Sequence, residues 1–241
     1  MRRAARGLAA LGALWIAAAC LDITSNVPAI SSITPVILPS PSVVTGDVSR
    51  DIAGAVQQLR VVAFGSNGDT LHDVIVKFFA VDSTKKLRVD SLTGLAHGDS
   101  LSPSAGVVAQ VRQSNGVGGF LQTNVVPLPV VPQPHSATKG SDTTFRFTPA
   151  TDSLSTQLLS PPLTVTVHGG GDTLVQKYVV EYEILYSPPP RSATSGRTLV
   201  LRGNGADSSV AVTNAAGQAS LALRLRLTAI DPALLLLHRL V

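Results

Sequence analysis

Cysteine is almost absent from this chain: Cys20 is the only one in 241 residues. That excludes an intramolecular disulfide and any cluster of cysteine metal ligands. Aromatics are scarce at 4% and charged residues low at 14%. A shortage of rings argues against a stacking platform for sugars or bases. Acidic residues are missing from the first 19 positions, where Arg2, Arg3 and Arg6 precede an uncharged apolar run from Leu8 to Ala19. The run falls short of the roughly 20 apolar residues that a spanning helix needs. A basic start, a short apolar centre and a small-residue exit describe a secretory signal peptide.

What is present at the exit is Ala17-Ala18-Ala19-Cys20. This segment resembles the lipobox of bacterial lipoproteins. In that family the cysteine thiol receives a diacylglyceryl group, cleavage falls just before it, and the new amine is acylated. The resemblance implies a lipidation site at Cys20 and a membrane partner through its acyl chains. One departure is Ala17, where the family favours Leu; Ile16 lies just upstream. Ordinary cleavage after Ala19 is the alternative. Leu21 follows the cysteine, where Asp would favour inner-membrane retention. The expected location is therefore the cell envelope, at the outer membrane if there is one.

The apparent basicity belongs to the leader. Of 19 basic residues three lie in the segment removed, whereas all 15 acids follow Cys20, so the mature chain carries 16 against 15. No basic face with interleaved aromatics is visible, and a nucleic-acid partner is not expected.

Ser, Thr, Gly, Pro and Val dominate the remainder, a composition of short strands and many turns. Residues 20–46 hold Pro28, Pro35, Pro39 and Pro41 among Ser and Thr, and read as a lipid-anchored extended linker. From Leu59 the pattern changes. The run Leu59–Phe64 leads through Gly65–Asp69 into Val74–Phe79. Asn-Gly and Gly-Asp between β-branched runs mark turns, because both residues tolerate positive φ. The unit recurs, with Gly68-Asp69-Thr70-Leu71 matched by Gly171-Asp172-Thr173-Leu174, 103 residues on. The turn at Asn115-Gly116 is matched near Asn214–Gly217 at an offset of 101. Two blocks at nearly one offset point to two copies of a domain of about 100 residues. The expected boundaries are 47–158 and 159–241.

Alternation is clear in the second copy. Tyr178, Val180, Tyr182 and Ile184 share one face, and Leu221, Leu223, Leu225 and Leu227 another. The expected fold class is all-β: two tandem sandwiches after a signal peptide and linker. Thr213–Ala219 followed by alternating leucines resembles bacterial immunoglobulin-like domains of the invasin and intimin type, and Gly68-Asp69 before Val74, Val76 and Phe78 looks like their earlier block. The resemblance implies immunoglobulin-like sandwiches acting as spacers or adhesive display modules, without catalytic residues. The second copy departs from it after Leu227, where Asp231-Pro232 leads into Leu234–Leu237 and Val241. Its last strand is either displaced or missing.

Candidate chemistry is thin. Gly98-Asp99-Ser100-Leu101 spells the motif of GDSL-type esterases, but no Asp-x-x-His follows; Asp231 and His238 have the wrong spacing. Histidines 72, 97, 135, 168 and 238 form no His-x-x-x-His pair. Asp69 and Asp172 occupy equivalent turns and are expected to bond turn amides rather than a metal. Glu181 and Glu183 alternate with Tyr182, so both glutamates project to the polar face. No catalytic, cofactor or metal residue is expected, and no enzyme activity. The leading expectation is a structural or adhesive envelope lipoprotein. The alternative is a module binding a protein or glycan through the polar stretch Asp82–Gly106.

Overall fold

The computed structural model describes residues 30–72, 74–112, 119–140, 148–149, 157–187, 189–190, 192, 196–202 and 205–230. The signal segment, Cys20, Leu21, the Asn115-Gly116 turn, and residues 231–241 with His238 lie outside them.

The all-β class expected from the sequence is what the chain adopts: short strands in several small sheets, with only two one-turn 3-10 helices among the described residues. In the first copy the central strand is Gly106–Arg112. Its sequence GVVAQVR is almost continuously apolar, Val107, Ala109 and Val111 turn to the core, and only Gln110 and Arg112 on the other face escape full burial. It pairs antiparallel with Val76–Val81 on one side and with Phe120–Gln122 and Val126–Pro127 on the other. Facing this sheet are the parallel pair Val43–Val44 with Val130–Val131 and the hairpin Leu87–Val89 with Ala96–Gly98. Val43, Phe78, Leu87, Ala96, Val107, Ala109 and Val130 fill the space between as one cluster. That is a two-layer sandwich.

Strand register makes the internal repeat explicit. Ile30–Ile33 pairs with Ala63–Gly65, placing Ile30 opposite Gly65 and Ser32 opposite Phe64, with a bulge between Ile30 and Ser32. Pro134–Lys139 pairs with Leu163–Gly169, placing Pro134 opposite Gly169 and Ser136 opposite His168, with a bulge between Pro134 and Ser136. Each position moves by 104 residues (30 to 134, 65 to 169), bulge included. The turns match too: the Gly65 amide bonds the Asp69 carbonyl at 2.9 Å and the Gly169 amide bonds the Thr173 carbonyl at 2.7 Å. An extra residue in a strand re-aims everything after it, so a bulge repeated at one offset marks a shared fold.

This register alters the division expected from composition. Residues 30–46 do not form a spacer: Ile30–Ile33 is the first strand, and Ile30, Val36 and Val43 are buried. Ser and Pro disguised it, because the strand lies at a sheet edge and only Ile30 and Ile33 turn to the core. Pairing also joins Pro134–Lys139 to Leu163–Gly169, on either side of the boundary expected at 158/159. The second copy's first strand thus follows Val130–Val131 across only Pro132 and Gln133.

The long alternation ending at Leu227 divides as well. Gln218–Leu221 pairs with Leu163–Gly169, whereas Leu223–Arg226 pairs with Gln157–Leu159 and Leu199–Leu201. The chain changes sheets at Ala222, and Leu227–Ala229 closes as a 3-10 turn. Val179–Glu183 pairs with Ser208–Val212 in a third sheet.

Candidate functional site

The polar stretch Asp82–Gly106 is a hairpin, not an open loop. Leu87, Ala96 and Ala105 from it are buried in the first copy's core. At its start the Asp82 carboxylate accepts the Thr84 hydroxyl at 2.6 Å and the amides of Thr84, Lys86 and Leu87 at 2.8–3.0 Å. These donors, the Thr84 side chain first, hold its pKa far below the usual carboxylate range. At the tip the Asp90 carboxylate accepts the amides of Thr93 at 2.7 Å and Leu92 at 3.0 Å, and its pKa is lowered by the Thr93 bonds above all. Both carboxylates therefore brace turns.

Beside the hairpin an open cleft of about 570 Å³ is bounded by Phe78, Phe79, Asp82, Lys85, Arg88 and His97. Arg88 and Asp99 form a two-pronged pair across the hairpin, with Nη2 at 2.7 Å from the carboxylate. Hydrogen bonding from Arg88 lowers the Asp99 pKa. Asp99 and Ser100 belong to the GDSL match. Asp99 is occupied by Arg88, and no hydrogen bond joins Ser100 to a histidine among the described residues.

The other sequence candidates fall apart in space. No three His, Cys, Asp or Glu residues gather in a metal-holding group among the described residues. In the Gly65–Asp69 turn it is Asn67, not Asp69, that bonds a backbone amide: its Oδ1 accepts the Asp69 N–H at 3.2 Å, and its Nδ2 donates to the Asp69 carboxylate. Asp172 sits at φ 58°, where an aspartate is tolerated better than most residues. Glu181 accepts the Ser208 hydroxyl at 2.6 Å across its sheet. Tyr182 points inward, its hydroxyl donating to the Ala219 carbonyl at 3.0 Å, and burial raises its pKa.

Sequence reasoning missed the junction between the copies. Val44 of the first copy packs against the cluster Val131, Val167 and Val175, together with Tyr178 and Val180. The Ser42 hydroxyl donates to the Lys177 carbonyl at 2.8 Å, while within the first copy the Thr45 amide and hydroxyl both donate to the Val131 carbonyl at 2.9 Å. A signal was there to find: Val27-Pro28-x-x-x-Ser32-x-Thr34 recurs as Val131-Pro132-x-x-x-Ser136-x-Thr138, at the offset of 104.

No protein-family model matches the chain, and no curated protein does. Among solved structures it is similar to the Yersinia pseudotuberculosis adhesin InvE, at 16% identity and a TM-score of 0.27. The alignment covers 85% of this chain and 54% of that one, so the chain spans about half its length. Likeness at this level carries no functional weight beside the strand pairing above.

Proposed function

We propose that this protein is a non-enzymatic lipoprotein of the cell envelope, held through acylated Cys20, whose two immunoglobulin-like sandwiches form a structural or adhesive display module. The observation that carries the reading is the direct junction. Two sandwiches with one register follow each other across two residues, and Ser42 and Val44 tie them together. A short, packed junction suits a module that holds something at a fixed distance from a surface. A flexible linker would not. The lipid anchor rests on the sequence around Cys20, and the outer-membrane address on Leu21.

Metabolic labelling with a fatty-acid analogue, followed by detergent partitioning, tests it. Wild type is expected to take label and enter the detergent phase, and Cys20→Ala to do neither. An unlabelled wild type in the aqueous phase refutes the anchor.

A second reading is favoured by the cleft of about 570 Å³ beside Asp82–Gly106, which has room for a peptide side chain or sugar ring. Deleting the hairpin would remove core residues, so substitutions at the exposed Arg88 and Leu92 are the proper probe. A saturable partner lost in Arg88→Ala would make the cleft a binding site.

A further inference from the structure

One end of the first copy presents a row of side chains that finds no partner among the described residues. Val76 lies opposite Val111, and Arg112 lies opposite Phe120. One residue beyond the first pair, Ile75 falls beside Arg112. Val76, Val111 and Leu121 turn inward around Ile30, so the alternation sends Ile75, Arg112 and Phe120 outward. Ile75 is 73% exposed and Phe120 62%. The next row along the same face is Lys77, Gln110 and Gln122, with the two glutamines bonded at 2.9 Å. Two large apolar groups thus stand with two cations, and neither row contains a carboxylate.

The repeat indicates what such an end needs. The position 104 residues after Ile75 is Val179, which lines a crevice of about 170 Å³ together with Ser42, Val44 and Ile52 of the first copy. In the second copy, then, this end is capped by the preceding sandwich. In the first copy only nine residues, 21–29, separate Cys20 from Ile30. They are too few for another such sandwich and reach at most about 35 Å when fully extended. Ile30 enters the fold at this same end, packed with Val111 and Leu121.

We propose that the end marked by Ile75, Arg112 and Phe120 is a membrane-contact face, seated on the lipid surface into which Cys20 is acylated. The inference rests on that acylation. Ile75 and Phe120 enter the headgroup boundary, about 5–10 Å deep, as interfacial apolar groups do. Arg112 and Lys77 meet the phosphates of anionic lipid. The bilayer takes the place that the first sandwich fills for the second.

Tryptophan offers a clean test. Trp15 is the only one in the chain and leaves with the signal segment, so Phe120→Trp gives the mature protein a single indole. The acylated protein is reconstituted on phosphatidylglycerol–phosphatidylcholine vesicles with and without brominated acyl chains. Flotation is expected with both vesicles. Brominated lipid is expected to quench the introduced indole about two-fold or more, as an interfacial depth requires. Quenching should fall when Ile75→Ser and Arg112→Ser are added. Leu185→Trp, at an 89% exposed site in the second copy, should give no quenching. Flotation without quenching at position 120 overturns the face and leaves the anchor standing. Absence of flotation with no acyl mass on Cys20 overturns the anchor, and the face falls with it. Concentration-dependent dimerisation abolished by Ile75→Ser would put a second copy of the chain on this end and would equally overturn the proposal.

Discussion

Single buried hydroxyls do much of the joining that a core poor in aromatics leaves undone. The Ser49 hydroxyl donates to the Gln57 carbonyl at 2.6 Å and accepts the Ala96 amide at 3.3 Å, at a residue 1% exposed. Ser49→Ala leaves both backbone groups without that partner, and urea unfolding should show a loss of about 1–3 kcal/mol. Charged residues behave otherwise. The pKa values of Asp47, Asp82, Asp90 and Asp99 are all lowered from the ordinary 3.8, by bonds to Arg50, Thr84, Thr93 and Arg88 first. A carboxyl depressed by folding stabilises fully above its unfolded pKa and loses that contribution as pH falls through the folded one. The thermal midpoint is therefore expected to stay level on these groups' account from neutral pH to about 4.5, and to fall below pH 4. A flat profile down to pH 2 would show that the four carboxylates stabilise nothing. Replacing Arg88 with Ala should leave the neutral-pH midpoint almost unmoved, because its pair with Asp99 is exposed to water.

At the scale of elements, close approach decides which substitutions the sandwich tolerates. A Cβ on Gly98 would come within 2.7 Å of Val130 Cγ1 and 2.9 Å of the Val44 carbonyl oxygen. Gly98→Ala must push the hairpin off the Val43–Val44 and Val130–Val131 pair, and calorimetry should register a loss of about 1–3 kcal/mol. An unchanged midpoint would mean that the two layers are not packed as described. Elements were legible in the sequence wherever one face alone met the core. Val179–Glu183 and the leucines from Leu221 announced themselves by alternation, although the switch of sheets at Ala222 did not, because alternation continues across it. Ile30–Ile33 was hidden by composition, since an edge strand with two core residues looks like any Ser-rich connection. The hairpin in Asp82–Gly106 was obscured by polar turn residues such as Asp82 and Asp90, which bond their own backbone. Of the candidate site, Cys20 rests on the sequence alone and lies outside the described residues. The junction and the Ile75–Arg112–Phe120 row arise from register, which single residues do not reveal.

Among the described residues one strand pairing is used twice at an offset of 104 residues, with the second copy leaning on Ser42 and Val44 of the first. The proposed function depends on where that pair of copies is fixed. Intact mass spectrometry of the protein extracted from membranes, with sequencing of its N-terminal peptide, asks this most directly. The expected result is a chain beginning at Cys20, heavier than residues 20–241 by a diacylglyceryl group and an amide-linked acyl chain, with all added mass on the first residue. A chain that begins at Cys20 with a free thiol and amine, or that still carries Met1–Ala19, would contradict it.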